Sequence, residues 1–262
     1  MMDHLKTAHQ SAYIVSGTTR GLGRALAEEI HARGHMLYSI SRQPELREEG
    51  RMNFCCDLRR SRQVEHAING IMEEIESASF EAVILINNAG VLHPIGAVET
   101  LAVNAVQDHF KVNLLSPIHL SAGFIRGARN FQGQRRIINI SSGAAQTPYA
   151  GWSLYCAAKA ALNSFSACAA LESDKQAASF SICTVAPGVL DTDMQREIRA
   201  ETKETFPMRD RFAALHAEGR LTTPRQAAKL LLDLDGAGQL FNGGHFDLRQ
   251  VVWEQGRPRI YS

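Results

Sequence analysis

Short runs of apolar, often β-branched residues alternate along this chain with longer stretches in which apolar side chains recur every three or four positions. The first run, Ala12-Tyr13-Ile14-Val15-Ser16, has the length and composition of a strand. Residues 21–33 follow with Leu22, Leu26 and Ile30 four apart, one face of a helix, and Gly34 supplies the stop. Strands are expected again at 36–40 and 52–56, then a helix at 62–77 carrying Val64, Ile68, Ile71 and Ile75 on one face. The run Ala82-Val83-Ile84-Leu85-Ile86 is apolar without alternation, as in a strand covered on both sides.

The second half repeats the plan. A helix is expected over 103–127, a strand at 136–140, an Ala-rich helix at 152–173 and a strand at 179–185. Residues 190–218 read as helical but highly charged, 224–234 as one more helix, and 240–248 as the last strand. No linker, low-complexity tract or repeat divides the chain. The pattern predicts an α/β protein: one domain over 1–262, a Rossmann-type doubly wound parallel sheet of about seven strands with helices on both faces.

Composition narrows the classes. With 28 basic against 27 acidic residues the formal charge is +1, so no global field favours nucleic acid or an anionic membrane. No stretch of 18 apolar residues occurs, and residues 1–12 lack a signal-peptide core, which points to the cytoplasm. Cys55, Cys56, Cys156, Cys168 and Cys183 are odd in number and irregularly spaced, which suits free thiols; neighbouring Cys55 and Cys56 read as small buried hydrophobes. The ten histidines show no metal-binding spacing, and no metal is expected.

Between the first strand and first helix stands Ser16-Gly17-Thr18-Thr19-Arg20-Gly21-Leu22-Gly23, a G-x-x-x-G-x-G turn. Glycines there allow a sharp turn and close approach to a pyrophosphate, whose charge meets the helix N–H groups. The same glycines can also serve the turn alone. The second strand ends Ser41-Arg42 with no acid before Glu45, so a ribose 2′-OH lacks its usual carboxylate partner. Arg42 can pair instead with a 2′-phosphate, and Arg20 can reach it from the other side, which selects NADP(H). Asp57-Leu58 and Asn87-Asn88-Ala89-Gly90 also fall at strand ends. There Asp57 can accept from an adenine amino group, the asparagines can tie strand ends together, and Ala89-Gly90 leaves room for a ribose.

Ser142 ends the fifth strand, and Tyr155 and Lys159 lie thirteen and seventeen residues further on. A four-residue spacing puts Tyr155 and Lys159 on one helix face. An ammonium there is expected to lower the phenol pKa and make Tyr155 a usable acid, while Ser142 holds a carbonyl oxygen.

Taken in order, Gly17-x-x-x-Gly21-x-Gly23, Asn87-Asn88-Ala89-Gly90, Ser142, Tyr155-x-x-x-Lys159 and Pro187-Gly188 resemble the short-chain dehydrogenase/reductase family. The resemblance implies a supporting role for Asn113 in a water-linked proton relay to the lysine. It also implies that Thr19, Leu22, Leu58, Tyr155 and Lys159, with Pro187, Gly188, Val189 and Thr192, help hold the cofactor. Ile140-Ser141-Ser142-Gly143-Ala144-Ala145, Tyr149-Ala150-Gly151-Trp152 and the stretch from Ala186 to Gln195 are similar to the sepiapterin reductase and benzil reductase branch. That likeness implies NADPH-dependent reduction of a diketone or related small-molecule carbonyl. The branch's pterin reducers carry an acidic anchor at the C-terminus; here the matching end reads His245-Phe246-Asp247-Leu248-Arg249-Gln250, and no acid is assigned that role.

Residues 190–218 occupy the place of a mobile substrate lid in this family, with Met194, Ile198, Phe206, Met208 and Phe212 either closing on substrate or packing as an ordinary amphipathic surface. Tyr149 and Trp152 either stack on an aromatic substrate or form its wall. Ser142, Tyr155, Trp152 and Met194 are the expected substrate contacts. The small residues of the 152–173 helix permit close approach of a second copy, and the family resemblance implies a homodimer or homotetramer. A rival reading, a non-catalytic NADPH-binding redox regulator, is disfavoured by the intact Asn113, Ser142, Tyr155 and Lys159 set.

Overall fold

Strands covered on both faces need helices above and below. In a computed structural model, describing residues 11–173, 179–254 and 256–260, the helices take those positions. The strands are β1 Ser11–Ser16, β2 Met36–Ser41, β3 Leu46–Glu48, β4 Arg51–Cys55, β5 Ala82–Asn87, β6 Gln134–Ile140, β7 Ser181–Ala186, β8 His245–Asp247, β9 Val252–Glu254 and β10 Arg257–Arg259. The helices are α1 Gly21–Ala32, α2 Ser61–Glu76, α3 Val103–Phe110, α4 Ser116–Gly127, α5 Ser153–Ser173, α6 Asp193–Ala200, α7 Arg209–Ala217 and α8 Pro224–Gly236. Residues 1–10, part of the N-terminal stretch read above for a signal peptide, lie outside the described residues.

An eight-stranded sheet runs β3-β4-β2-β1-β5-β6-β7-β8, parallel throughout except for antiparallel β3 at one edge. The extra strand relative to the expected seven is β3, a three-residue polar segment, Leu-Arg-Glu, with no apolar run to announce it. Adjacent residues of β1 feed opposite cores, as strand geometry requires. Tyr13 and Val15 pack with Leu26 and Ile30 of α1 and Leu231 of α8; Ala12 and Ile14 pack with Ile68 of α2 and Phe124 of α4. A third apolar cluster, built from Leu92, Trp152, Ile198, Phe206 and Phe212, sits apart from these two.

Three boundaries differ from expectation for local reasons. The long 103–127 helix is α3 and α4 joined by a π-helical turn at Lys111–Leu115, centred on Asn113. The charged 190–218 stretch forms two short helices, α6 and α7, instead of one. The final strand is cut to His245–Asp247 and followed by a β9–β10 hairpin. The cysteines are free thiols, but of the neighbouring pair only Cys56 is buried; Cys55 faces solvent, a correction forced by the two-residue alternation along β4. No described helix is long and apolar enough to cross a membrane.

Thr223 and Gln226 cap α8 reciprocally, with Pro224 at its first turn. Deeper, α8 is tied to the sheet by a buried charge: the Asp235 carboxylate accepts from the Tyr13 hydroxyl at 3.1 Å and from Arg136 Nη2 at 3.1 Å, with Arg136 Nε 2.9 Å from its other oxygen. Asp235→Ala leaves a guanidinium and a phenol unpaired at that site. The expected loss is about 3–5 kcal/mol of unfolding free energy in urea titration; a loss under about 1 kcal/mol contradicts this role for the pair.

Candidate active site

Beyond the carboxyl ends of β1 and β5, where the order of connection reverses, helices α1 and α4 depart to opposite faces and leave a crevice. A cleft of roughly 430 Å3 opens there. Gly17 has φ +75°, and a Cβ on it would lie 2.9 Å from Ala89. On Gly23 a Cβ would lie 2.0 Å from the Gly17 carbonyl oxygen, so this turn closes only around a bare backbone. The N-cap residue of α1, Arg20, offers no side-chain acceptor to the first-turn N–H groups, which leaves them available to an anion. Asn88 Nδ2 donates to the Ser16 and Gly17 carbonyls at 3.0 and 3.1 Å, while Ser16 Oγ accepts from the Asn88 and Ala89 N–H groups. Asn87 Nδ2 donates to Asn139 Oδ1 at 2.8 Å, and Asn139 Nδ2 to Ser166 Oγ. The asparagines thus do tie neighbouring strand ends together.

At the far end of the cleft Ser41, Arg42, Asp57 and Leu58 stand side by side with Arg59. Asn53 Oδ1 accepts from the Ser39 and Ser41 hydroxyls, and its amide donates to Gln43 and Pro44 carbonyls, fixing the turn that presents Arg42. Sequence reading missed Asn53, whose only signal was a polar residue inside an apolar run. Arg42 is exposed and makes no ion pair among the described residues. Asp57 is engaged: Arg59 donates to its carboxylate from backbone and side chain, and the guanidinium holds its pKa below the ordinary range. Arg20 does not turn toward Arg42. Its Nη1 lies 3.8 Å from Asp193 and 3.6 Å from Glu197, linking the glycine turn to α6.

In the middle of the cleft lie Ser142, Tyr155 and Lys159. The Tyr155 phenol is buried beside Ser142; burial raises its pKa and outweighs the opposing influence of the Ser142 hydroxyl. Lys159 was expected to lower it. Instead the ammonium is itself buried, 5.7 Å from the Tyr155 ring centroid, and burial pushes its own pKa down to about 8. Its one described hydrogen bond goes to the Ile140 carbonyl at 2.8 Å. Asn113, on the π-helical turn, does not line the cleft but is buried behind Gly90: a Cβ there would sit 3.1 Å from Asn113 Oδ1 and 3.9 Å from Lys159 Nζ. Its Oδ1 accepts from Val91 N–H, and its amide donates to the Val91 carbonyl and lies 3.0 Å from His109 Nε2. His109, another residue sequence reading passed over, lies 2.9 Å from the His93 carbonyl through Nδ1, and burial lowers its pKa, so the neutral ring is favoured.

The remaining expected residues, Thr19, Gly21, Leu22, Ala89, Gly90, Pro187, Gly188, Val189, Thr192, Trp152 and Met194, all line the same cleft. The Thr192 hydroxyl caps α6. Trp152 stacks on Phe206 with ring centroids 4.4 Å apart and touches Tyr149, Tyr155 and Phe212, making the wall an aromatic sheath. Arg249 also enters this end of the cleft; nothing in the local sequence marked it, because only the return of the chain after β8 brings it there.

A model of the short chain dehydrogenase family matches residues 11–203, and the chain belongs to that family: it is an oxidoreductase of the short-chain dehydrogenase type. It is 32% identical over 241 residues to a benzil reductase ((S)-benzoin forming) of Bacillus subtilis, spanning 92% of this chain and 99% of that one. A sepiapterin reductase of Rattus norvegicus is 29% identical over 256 residues, spanning 91% and 96%. Among solved structures, the KRED1-Pglu enzyme superposes with a TM-score of 0.75 at 28% identity, over 90% of this chain and 99% of that one.

Proposed function

We propose that this protein is an NADPH-dependent carbonyl reductase acting on aromatic ketones or dicarbonyls, with Tyr155 as general acid. The observation that carries the reading is the buried Tyr155 phenol beside Ser142, its neutral form favoured by burial, at the junction of the glycine-turn cleft with the aromatic sheath. The relatedness to benzil and sepiapterin reductases supports the same reaction class.

The bare backbone at Gly17 and Gly23 and the uncapped start of α1 fit a dinucleotide pyrophosphate. Thr19, Gly21 and Leu22 complete the turn, Ala89 and Gly90 leave space beside it, and Pro187, Gly188, Val189 and Thr192 close the opposite wall. NADPH, when bound, supplies the hydride. Arg42, exposed just after β2 beside Ser41 and without an ion pair among the described residues, supports the phosphorylated cofactor, whereas Arg20 serves the link to α6.

Ser142 holds the substrate oxygen by hydrogen bonding, and Tyr155 delivers its hydroxyl proton to that oxygen as negative charge develops there. The phenolate left behind faces Lys159, whose ammonium stabilises it. Asn113, rigidly held by Val91 and His109, backs Lys159 and supports the route by which the proton is replaced. The 190–218 segment is the lid: Met194 of α6 and Phe212 of α7 line or pack against the sheath, and Arg20 tethers α6 to the glycine turn.

Tyr155→Phe is expected to lower kcat/KM for NADPH-driven benzil reduction by roughly 10^2- to 10^4-fold, with NADPH binding by fluorescence retained. Undiminished turnover rejects Tyr155 as the acid. Arg42→Ala is expected to weaken NADPH binding about 10- to 100-fold while leaving NADH binding alone, measured by titration with each. Equal losses with both cofactors contradict the 2′-phosphate assignment.

A further inference from the structure

The aromatic sheath of the cleft is interrupted by one guanidinium. Arg249 stands on the turn after β8 and reaches over Gly188 and Gly143, the residue after Ser142. A Cβ on Gly188 would lie 3.1 Å from Arg249 Cγ, and one on Gly143 would lie 3.5 Å from Arg249 Nη2. The absence of a side chain at Gly188 leaves room for the arginine stem, and the guanidinium lies within ordinary contact distance over Gly143. Gly143 directly follows Ser142, the group expected to hold the reacting oxygen, so the guanidinium passes over the neighbouring residue of the same turn.

Arg249 is also held in place. Its Nε donates to both Asp247 oxygens at 2.9 and 3.0 Å, its Nη2 donates to Oδ2, and its backbone N–H donates to Oδ1. This two-pronged pairing uses one edge of the planar fork and leaves the Nη1 donors uncommitted to Asp247. The side chain remains 57% exposed despite the pairing and lines the cleft. Arginine has donors and no acceptors, so the group it recognises is an acceptor.

We infer that Arg249 is a specificity-determining residue that donates to a second oxygen of the substrate, carried on the carbon next to the reacting carbonyl. The substrate class is an aryl ketone with a vicinal acceptor oxygen: the aryl ring lies among Tyr149, Trp152 and Phe212, the reacting oxygen at Ser142 and Tyr155, and the neighbouring oxygen at Arg249. The chemistry is shared by a vicinal diketone and an α-keto carboxylate. Asp247 neutralises the guanidinium charge, so a neutral oxygen needs no further counter-charge there. This inference rests on the carbonyl reductase reading and names its substrate.

The test compares three substrates in wild type and Arg249→Met with NADPH: 1-phenyl-1,2-propanedione, phenylglyoxylate and acetophenone, which lacks a vicinal oxygen. The ratio of kcat/KM for either vicinal substrate over that for acetophenone is expected to fall roughly 10- to 100-fold in the variant. Ratios cancel any loss of folded protein. A larger fall for propanedione identifies a neutral oxygen as the preferred acceptor, and a larger fall for phenylglyoxylate a carboxylate; either supports the inference. Unchanged ratios overturn it, including the case in which all three substrates suffer alike because Arg249 serves the cofactor. Binding of the same three compounds, followed through tryptophan fluorescence, separates the two readings. If wild type reduces none of them, the reductase assignment fails. The inference itself then stands only if the vicinal compounds bind at least tenfold less tightly to Arg249→Met while acetophenone does not, and equal binding overturns it.

Discussion

A primary ammonium stripped of most of its water governs this site. Lys159 emerges from a helix into a pocket where the Ile140 carbonyl accepts one of its protons, and it is only 4% exposed. Keeping a charge there is costly unless something nearby becomes negative during the reaction. The Tyr155 phenol, buried and favouring its neutral form, is the group that becomes negative in the proposed proton transfer. In the proposed mechanism the two groups therefore offset each other's burial. Their juxtaposition depends on the 153–173 helix carrying both residues one turn apart, with Ile140 at the end of β6 and Ser142 in the turn just after it. The π-helical turn at Asn113 belongs to the same constraint, since it lets a carboxamide back the lysine while its polar atoms remain satisfied by Val91 and His109.

Around this charged centre the chain separates two tasks in space. The glycine-turn side is bare backbone, closed by hydrogen bonds from Asn88 to Ser16 and Gly17, where side chains would collide. The substrate side is aromatic and belongs to a cluster separate from the two cores that hold the sheet. The contacts between Arg20 and the acids of α6 join the two sides through one exposed ion-pair cluster.

Much of this was legible in the residues because the strongest signals are local. Apolar runs gave β1, β2, β5, β6 and β7, and four-residue spacing placed Tyr155 and Lys159 on one face. What escaped came from context. The three polar residues of β3 pair only because β4 presents an edge, and the β9–β10 hairpin is too short and exposed to leave a hydrophobic pattern. Arg249 reaches the cleft only through the sheet's order of connection. The direction of the Tyr155 pKa was misjudged because spacing reveals a neighbouring lysine but not the burial of both groups, and burial wins. Arg20 was likewise placed by its position in the glycine turn, whereas the acids that attract it lie some 170 residues later on α6.

The dependence on a lowered lysine pKa is open to direct measurement. Burial pushes the Lys159 pKa down to about 8, so the ammonium proposed to stabilise a forming phenolate is expected to act only on the acid side of that value. The pH profile of kcat/KM for ketone reduction is the decisive readout. A plateau at neutral pH, falling through a midpoint near pH 8 on the alkaline side, is the predicted result; a rate that stays level or rises to pH 10 would contradict the account.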